Sequence, residues 1–353
     1  MYPSVKNPSY GVFVKNLASF FCRNGAEIEL SVIYGRGTNP LNKLFKYICF
    51  AGSIIKNGLL GRYDCIYVHY LAHSLVTAMP IIFFRKIPLI CNAHGEDLLP
   101  TSLFERSIFF LVRRHIAKAQ LIVVPSEYFG KIARERFPKS EIFISPSAGV
   151  DLDLFKPSPE YLISHTAPEL VIGYVSRIGE GKGWDVLIYA VKKLRDLHPR
   201  FRFKVFLVGE GPQTKECLSL IQLLKLDTCV SYLGAIPQNE LPDFYRSLSV
   251  FVFPTTRSAE SLGLVGLEAL ACGVPAICSD IGGIKEYMQN GINGYLFPPG
   301  DANALCRAIV QYSQLDDKKL FTMKIAARSI AQQYGSAKVC LELYKKIIEI
   351  LNR

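Results

Sequence analysis

The residues best suited to chemistry lie in one stretch, 253–277, which reads FPTTRSAESLGLVGLEALACGVPAI. It carries two carboxylates eight positions apart, Glu260 and Glu268. The pattern predicts a strand ending near Pro254, a polar loop, and a helix beginning near Leu262, which sets Glu260 in the loop and Glu268 on the helix. The amides of Leu262, Gly263 and Leu264 then fall at a helix N-terminus, where unsatisfied N–H groups and the dipole favour an anion. Gly263 would let that backbone approach a ligand closely, and Gly273 suits the end of the helix. A second stretch, VSRIGEGKG at 175–183, places Arg177 and Lys182 on a glycine-bearing loop after a strand. A guanidinium fork and an ammonium point charge on such a loop can clamp a diphosphate. A basic pair alone is usually a solvated surface feature; beside an anion-binding helix start in the same half of the chain it becomes a candidate diphosphate site.

Other motifs carry less. Asp151-Leu152-Asp153 is a DxD, a pattern able to hold a metal–diphosphate, but it opens a linker and is read as structural. Gly209-Glu210-Gly211 follows a strand and lacks the third glycine of a dinucleotide fingerprint, so it is expected to line a nucleotide pocket. His69, His73, His115, His165 and His198 show no ligand spacing with cysteine or acidic residues and are read as ordinary surface or core histidines. His94 stands apart because it opens the run His94-Gly95-Glu96-Asp97.

The elements that must position these groups alternate along the whole chain. Strands are predicted at 29–33, 65–70, 88–92 and 121–125, then at 170–176, 202–208, 230–233, 250–253 and 275–279. Several are apolar without alternation, as expected of strands covered on both faces. Helical periodicity occupies 12–24, 104–119, 184–196, 214–224 and 262–271. This repetition predicts an α/β protein with two doubly wound domains. The boundary is expected within 151–168, where Pro157, Pro159 and Pro168 interrupt weakly periodic residues.

Composition agrees. The 353 residues are half hydrophobic and a fifth charged, which excludes disorder, and the length suits two cores. The net charge of +11 favours an anionic partner. Ten cysteines without a CxxC pair exclude zinc ribbons and read as reduced core thiols of a cytoplasmic protein. No run reaches the ~20 apolar residues of a membrane span; the longest, 71–84, contains His73 and Pro80. The first 160 residues carry a net charge of +7, and 36–62 hold Arg36, Lys43, Lys46, Lys56 and Arg62 with no acidic residue. Interleaved with Leu41, Leu44, Phe45, Tyr47, Ile48 and Phe50, they fit an anionic membrane surface and equally a solvated helix whose apolar side faces the core. No nucleic-acid-binding motif accompanies the charge, so nucleic acid is not an expected partner.

Taken together, the motifs resemble glycosyltransferase family 4. The residues that carry the resemblance are His94-Gly95-Glu96-Asp97, Ser126, Gly149-Val150-Asp151 with Phe155 and Pro157, Gly173 to Gly183, Gly209-Glu210-Gly211-Pro212, Gly234, Glu260 to Pro275, and Gly291 to Pro299. They run in the family's order over most of the chain. The resemblance implies the GT-B fold, two facing Rossmann-like domains with a cleft between them: an N-terminal acceptor-side domain over 1–157, a C-terminal nucleotide-sugar domain over 158–335, and a C-terminal helix over 336–353 that packs back on the first.

It also implies roles. Arg177 and Lys182 would neutralise the donor's diphosphate in place of a metal, so no metal or other cofactor is expected. Glu260 would hold hydroxyls of the transferred sugar, and Glu268 the ribose diol. Ser261 and the amides of Leu262, Gly263 and Leu264 would support sugar and phosphate. Gly209 and Gly11 would line the donor site, Gly11 from the N-terminal glycine loop, and His94 would lie beside the donor sugar. The implied activity is retaining transfer of a sugar from a nucleotide donor to a hydroxyl acceptor, lipid-linked in cell-surface polysaccharide or glycolipid synthesis, by a cytoplasmic protein peripheral on the inner face of the membrane. The alternatives are a GT-B sugar-nucleotide epimerase and a non-catalytic basic α/β protein that binds nucleotide or nucleic acid. Members of the family open on a short apolar strand before a YP-type loop. Here Tyr2-Pro3-Ser4 follows Met1 at once, so the natural chain is expected to begin upstream by about one strand length, 5–6 residues.

Overall fold

A computed structural model describes residues 2–4, 11–35, 39–100, 102–159 and 169–353, apart from the side chains of Ala72, His73 and Phe83. Arg36, His165 and residues 160–168 of the expected linker thus lie outside the described residues. The chain divides into two compact units, one formed by Met1–Gly149 with Ser336–Arg353, the other by Val150–Gly335. The division falls before the expected boundary at Pro157. The Val150 amide donates to the Tyr334 carbonyl at 2.8 Å, and Phe155 is buried in the second unit's core.

The first unit runs α1 (Val12–Arg23), α2 (Pro40–Leu60), β1 (Ile66–His69), α3 (Leu71–Arg85), β2 (Leu89–Asn92), α4 (Leu103–Ile116), β3 (Leu121–Val124), α5 (Glu127–Arg136) and β4 (Ile142–Ile144). The four strands form a parallel sheet in chain order. The pleat of β3 shows why both faces are apolar: Ile122 and Val124 enter a core with Leu75, Val112, Phe129 and Ala133, while Leu121 and Val123 point to the other face with Leu17 and Phe21. The helices start where the sequence can cap them. Ser102 and Glu105 form a reciprocal capping box on α4, Ser126 accepts the Phe129 amide on α5, and Asn39 precedes Pro40 on α2.

The strand expected at 29–33 does not form a ladder. Among the described residues this stretch makes one isolated bridge, Tyr2 to Tyr34, with the Tyr2 amide donating to the Ile33 carbonyl at 2.9 Å. Its polar side chains turn to α2 instead, since Asn57 donates to Glu29 and Ser31, and Ser31 meets Ser53. Helix α2 approaches α3 through Gly58, where a Cβ would lie 2.5 Å from Ile81. Among the ten free cysteines Cys22 and Cys49 are exposed, on the outer sides of α1 and α2, and not in the core as expected.

The second unit runs β5 (Leu170–Val175), α6 (Trp184–Leu197), β6 (Phe203–Val208), α7 (Thr214–Leu223), β7 (Val230–Gly234), α8 (Leu241–Arg246), β8 (Val250–Phe253), α9 (Leu264–Ala271), β9 (Ala276–Ser279), β10 (Gly294–Phe297), α10 (Ala302–Ser313) and α11 (Asp317–Gln332). Its six parallel strands are ordered β10-β9-β8-β5-β6-β7. The chain winds outward from β5 to β7, then returns to β8 and winds the other way. The order reverses between β5 and β8, the position at which the loops of such a sheet usually diverge. Gly173 permits the β5–β8 contact: a side chain there would occupy the space of Leu248.

The last helix, α12 (Ser336–Leu351), belongs to the first unit. Its Cys340, Leu343, Ile347 and Ile350 bury against α1 and the sheet face of Ile90, Leu121 and Val123. Tyr344 donates to the Asn24 carbonyl, and Lys346 and Arg353 pair with Glu141. Leu343→Ala, at a site 1% exposed, is expected to cost about 2–5 kcal/mol of stability, read as a lower urea midpoint at unchanged slope.

Candidate active site

The loops after β5 and β8 meet at the point where strand order reverses. Gly181 and Thr256 are joined by a backbone bond, the Thr256 amide donating to the Gly181 carbonyl at 2.8 Å. Gly183 starts α6 with φ +74°, and a Cβ there would collide with the Pro254 carbonyl, so only glycine allows the two loops to lie this close. Tyr174 donates its hydroxyl to the Lys182 carbonyl at 3.2 Å, fixing the loop from below.

This closeness joins two of the sequence-selected residues. Lys182 Nζ donates to Glu260 Oε2 at 2.7 Å, with the side chains only 16% and 11% exposed. Thr255, fully buried, holds its hydroxyl 3.1 Å from both the Gly181 carbonyl and the same Glu260 oxygen, and accepts the Arg257 amide. Both bonds to Glu260 use Oε2. Among the described residues Oε1 accepts none, and Lys182 retains two N–H groups. Thr255 was not singled out by sequence reasoning; its signal was its place one residue after a strand-ending proline in a loop already suspected.

Arg177 is exposed and, among the described residues, has no hydrogen-bond or ion-pair partner, so the structure does not tie it to Lys182 or Glu260. Gly263 is the left-handed N-cap of α9, φ +70°, and no side chain caps that helix. The Leu262 side chain is in the core, which leaves only its backbone for a ligand; Ser261 and Leu264 are half-buried. Gly209, φ +126°, packs its Cα against the Ser176 carbonyl while its amide donates to the Gly234 carbonyl at 2.7 Å. The glycines of 209–211 thus have a packing task, holding the turn against the segment that carries Arg177.

Glu268 lies on the buried side of α9. It has two neutral partners, the Tyr245 hydroxyl, which donates at 3.0 Å, and Gln238. Burial raises its acid strength midpoint to about 7, with the two hydrogen bonds opposing.

In the first unit, Gly11 is the left-handed N-cap of α1. His94 follows β2; its amide donates to the buried Asp97 carboxylate at 2.9 Å. His69, read as ordinary from sequence, lies beside it, Nδ1 of His69 being 3.0 Å from Nε2 of His94. The available signal was two histidines at the carboxyl ends of apolar strands that prove to be neighbours. Asp151 accepts the amides of Asp153 and Leu154, so the DxD is a turn cap. Among the described residues no cluster of three or more His, Cys, Asp or Glu is arranged to hold a metal.

The Glu268 carboxyl yields a stability test. Unfolded it titrates near 4.5 and folded near 7, so across that window the folded chain keeps a proton that the unfolded chain has lost. Stability therefore falls as pH rises through the window, by on the order of 3 kcal/mol for this group. Glu268→Gln keeps an acceptor for Tyr245 without the charge. Urea unfolding at pH 5 and pH 8 is expected to show the variant gaining on the wild type at the higher pH; an equal gap at both would count against the buried carboxyl.

Comparison with known proteins places these units in a wider set. Residues 12–154 match the family described as Glycosyltransferase Family 4, and residues 163–329 match Glycosyl transferases group 1. A putative colanic acid biosynthesis glycosyltransferase, WcaL, of Escherichia coli is 29% identical over 212 residues, 59% of this chain and 51% of the relative. The chain thus spans about half the length of that relative. A D-inositol 3-phosphate glycosyltransferase of Kribbella flavida is 29% identical over 336 residues, 88% of this chain and 78% of the relative. Among solved structures, sucrose-phosphate synthase from Thermosynechococcus elongatus shares the fold with a TM-score of 0.79 at 22% identity, covering 97% of this chain and 94% of that one. Anabaena HepE in complex with UDP-glucose does so with a TM-score of 0.71 at 24% identity, covering 94% and 88%. With both units matched in order and the glutamate-bearing stretch built at the strand-order reversal, the chain belongs to the family 4 glycosyltransferases of GT-B fold.

Proposed function

We propose that the protein is a retaining glycosyltransferase that moves a sugar from a nucleoside-diphosphate donor to a hydroxyl acceptor in cell-surface polysaccharide or glycolipid synthesis. The observation that carries this reading is the Lys182–Glu260 pair, which leaves one carboxylate oxygen and two ammonium protons unspent beside the uncapped start of α9. A sugar nucleotide needs both: an acceptor for sugar hydroxyls at Oε1 of Glu260, and cations with backbone amides for the diphosphate. As the glycosidic bond breaks, negative charge grows on the leaving diphosphate, and groups already fixed in place stabilise it without reorganising. Lys182, the exposed Arg177 and the amides of Gly263 and Leu264 fill that role, so no metal is required. Glu268 receives the ribose diol, with Tyr245 orienting its carboxylate. Relatives and neighbours support the donor class: HepE has been solved with UDP-glucose.

The same reading places the protein in the cytoplasm, at the inner membrane face, with a lipid-linked acceptor. Its support is the surface of the first unit. Helix α2 exposes Leu41 (79%), Phe45 (63%) and Ile48 (60%), and α4 exposes Leu103 (81%), Phe104 (68%) and Phe110 (64%). Both helices pack on α3. Lys43, Lys56, Arg106, Arg113 and Arg114 flank these side chains, and Glu105 is the acidic residue of the two helices. Apolar side chains that enter the interface and cations that meet lipid phosphates are the two requirements of a peripheral surface. No helix among the described residues is long and apolar enough to cross a membrane.

Two measurements test these readings. In an assay with a panel of sugar nucleotides and excess EDTA, the wild type is expected to transfer sugar, and Lys182→Ala, Arg177→Ala and Glu260→Ala each to cut turnover roughly a hundredfold with the fold retained. Near-native turnover of the Arg177/Lys182 double variant would sink the diphosphate assignment, dependence on added manganese or magnesium would reject metal-free transfer, and release of a free epimerised sugar would identify an epimerase. Separately, the protein is expected to float with anionic and not with neutral liposomes, with binding lost at high salt, each basic residue contributing about 1 kcal/mol; indifference to both liposomes would reject the membrane surface.

A further inference from the structure

The pairing of His69 with His94 gives a chemical constraint that neither residue carries alone. Strands β1 and β2 pair with His69 opposite Asn92, so the two strands end side by side and His94 follows two residues later. The ring planes lie 20° apart with centroids 5.2 Å apart. With the 3.0 Å contact from Nδ1 of His69 to Nε2 of His94, this is an in-plane bond between ring edges. Phe13 and Tyr70 pack against His94 at 4.8 and 4.5 Å, and Tyr67 lies 5.0 Å from His69. Tyr67 is itself held, its hydroxyl accepting from Asn92 at 2.7 Å. The Asp97 carboxylate fixes the backbone of His94. Burial among these groups keeps both imidazoles well below their ordinary range, His94 at about 3, so both are neutral near pH 7.

A neutral imidazole has one N–H and one bare nitrogen. A bond between two neutral rings therefore needs one to donate and the other to accept, and fixing the proton in that bond fixes the tautomer of both. Nε2 of His94 is committed to His69, which leaves Nδ1 as its one ring atom for a ligand. Among the described residues nothing bonds to that nitrogen.

We propose that His69 is a positioning residue: it holds His94 in one ring orientation and one tautomer, so that Nδ1 of His94 is the one ring nitrogen left open to a ligand. The turnover arm of its test rests on the proposed transferase activity. The test uses the full chain labelled with 15N-histidine, long-range proton–nitrogen correlation spectra of the imidazoles at pH 7, and His94→Gln to assign His94. In the wild type, His94 is expected to show one fully protonated and one fully bare nitrogen. In His69→Phe, which fills the space without a hydrogen bond, the two nitrogens are expected to move toward averaged values. Turnover is expected to fall roughly tenfold, the weight of one oriented hydrogen bond, with a smaller change in donor KM. His69→Gln, which can still hydrogen-bond, is expected to recover part of both. Averaged nitrogens in the wild type overturn the proposal whether or not any variant folds, as do identical His94 shifts in the wild type and His69→Phe. A fixed tautomer together with full turnover of His94→Gln overturns a role of His94 in turnover while leaving its pairing with His69 in place.

Discussion

The second unit depends on one contact, the ion pair between Lys182 and Glu260. The two residues are 78 positions apart and sit on loops that follow adjacent strands. Such loops normally diverge where strand order reverses, because each turns toward a helix on the opposite face of the sheet. Here they are drawn together by backbone bonds at Gly181 and by the absence of a side chain at Gly183. The pair is largely shielded from water, so its attraction is screened less than that of a surface pair, yet a shielded pair must also offset lost hydration. The Thr255 hydroxyl reduces that cost by sharing the carboxylate, and the amide of Arg257 satisfies the hydroxyl in turn. What results is a carboxylate and an ammonium each fixed in place and each only partly used, the condition a charge-separating reaction asks of its catalyst.

The glycines that the sequence marks as a nucleotide-type turn have a packing task. Gly209 and Gly211 let the turn after β6 pack on the backbone of residues 176–178, and the Ile178 carbonyl accepts the Gln213 amide. The loop that carries Arg177 is thereby stiffened at its base while the guanidinium stands in solvent. An exposed arginine on a rigid stem loses little backbone entropy when it closes on a phosphate, and keeps its full fork of donors for it.

Legibility in the sequence follows from how local the physics is. The strands at 170–176 and 250–253 and the helix at 184–196 were readable because unbroken apolar runs and 3.6-residue periodicity are properties of neighbours in sequence. The stretch at 29–33 was misread for the same reason: its alternation of Glu29, Leu30 and Ser31 is that of a half-buried strand, but a strand exists only where a partner supplies its ladder, and Ser31 and Glu29 bond to α2. The site divided along the same line. Glu260, Lys182 and Glu268 are types and spacings that a chain displays. Thr255 and His69 are ordinary in type, and their importance lies in what the fold brings against them. The neutral partners of Glu268 were equally hidden, since Tyr245 and Gln238 lie more than twenty residues upstream, on and before a short helix.

These polar groups show three ways of keeping charge chemistry inside a protein, and each fixes what the group can do. Lys182 and Glu260 are paired and largely shielded, each with part of its hydrogen-bonding capacity unspent. Glu268 has neutral donors for neighbours, and burial raises its carboxyl to about 7 against the pull of the two hydrogen bonds. His69 and His94 are half-buried, and desolvation holds both imidazoles below their ordinary range, which keeps them neutral near pH 7. A reaction whose difficulty is charge growing on a leaving diphosphate needs its cations accessible and its other polar groups directional but uncharged. In this chain the exposed Arg177 and the paired Lys182 stand on the loop after β5, and Glu268 lies among neutral neighbours.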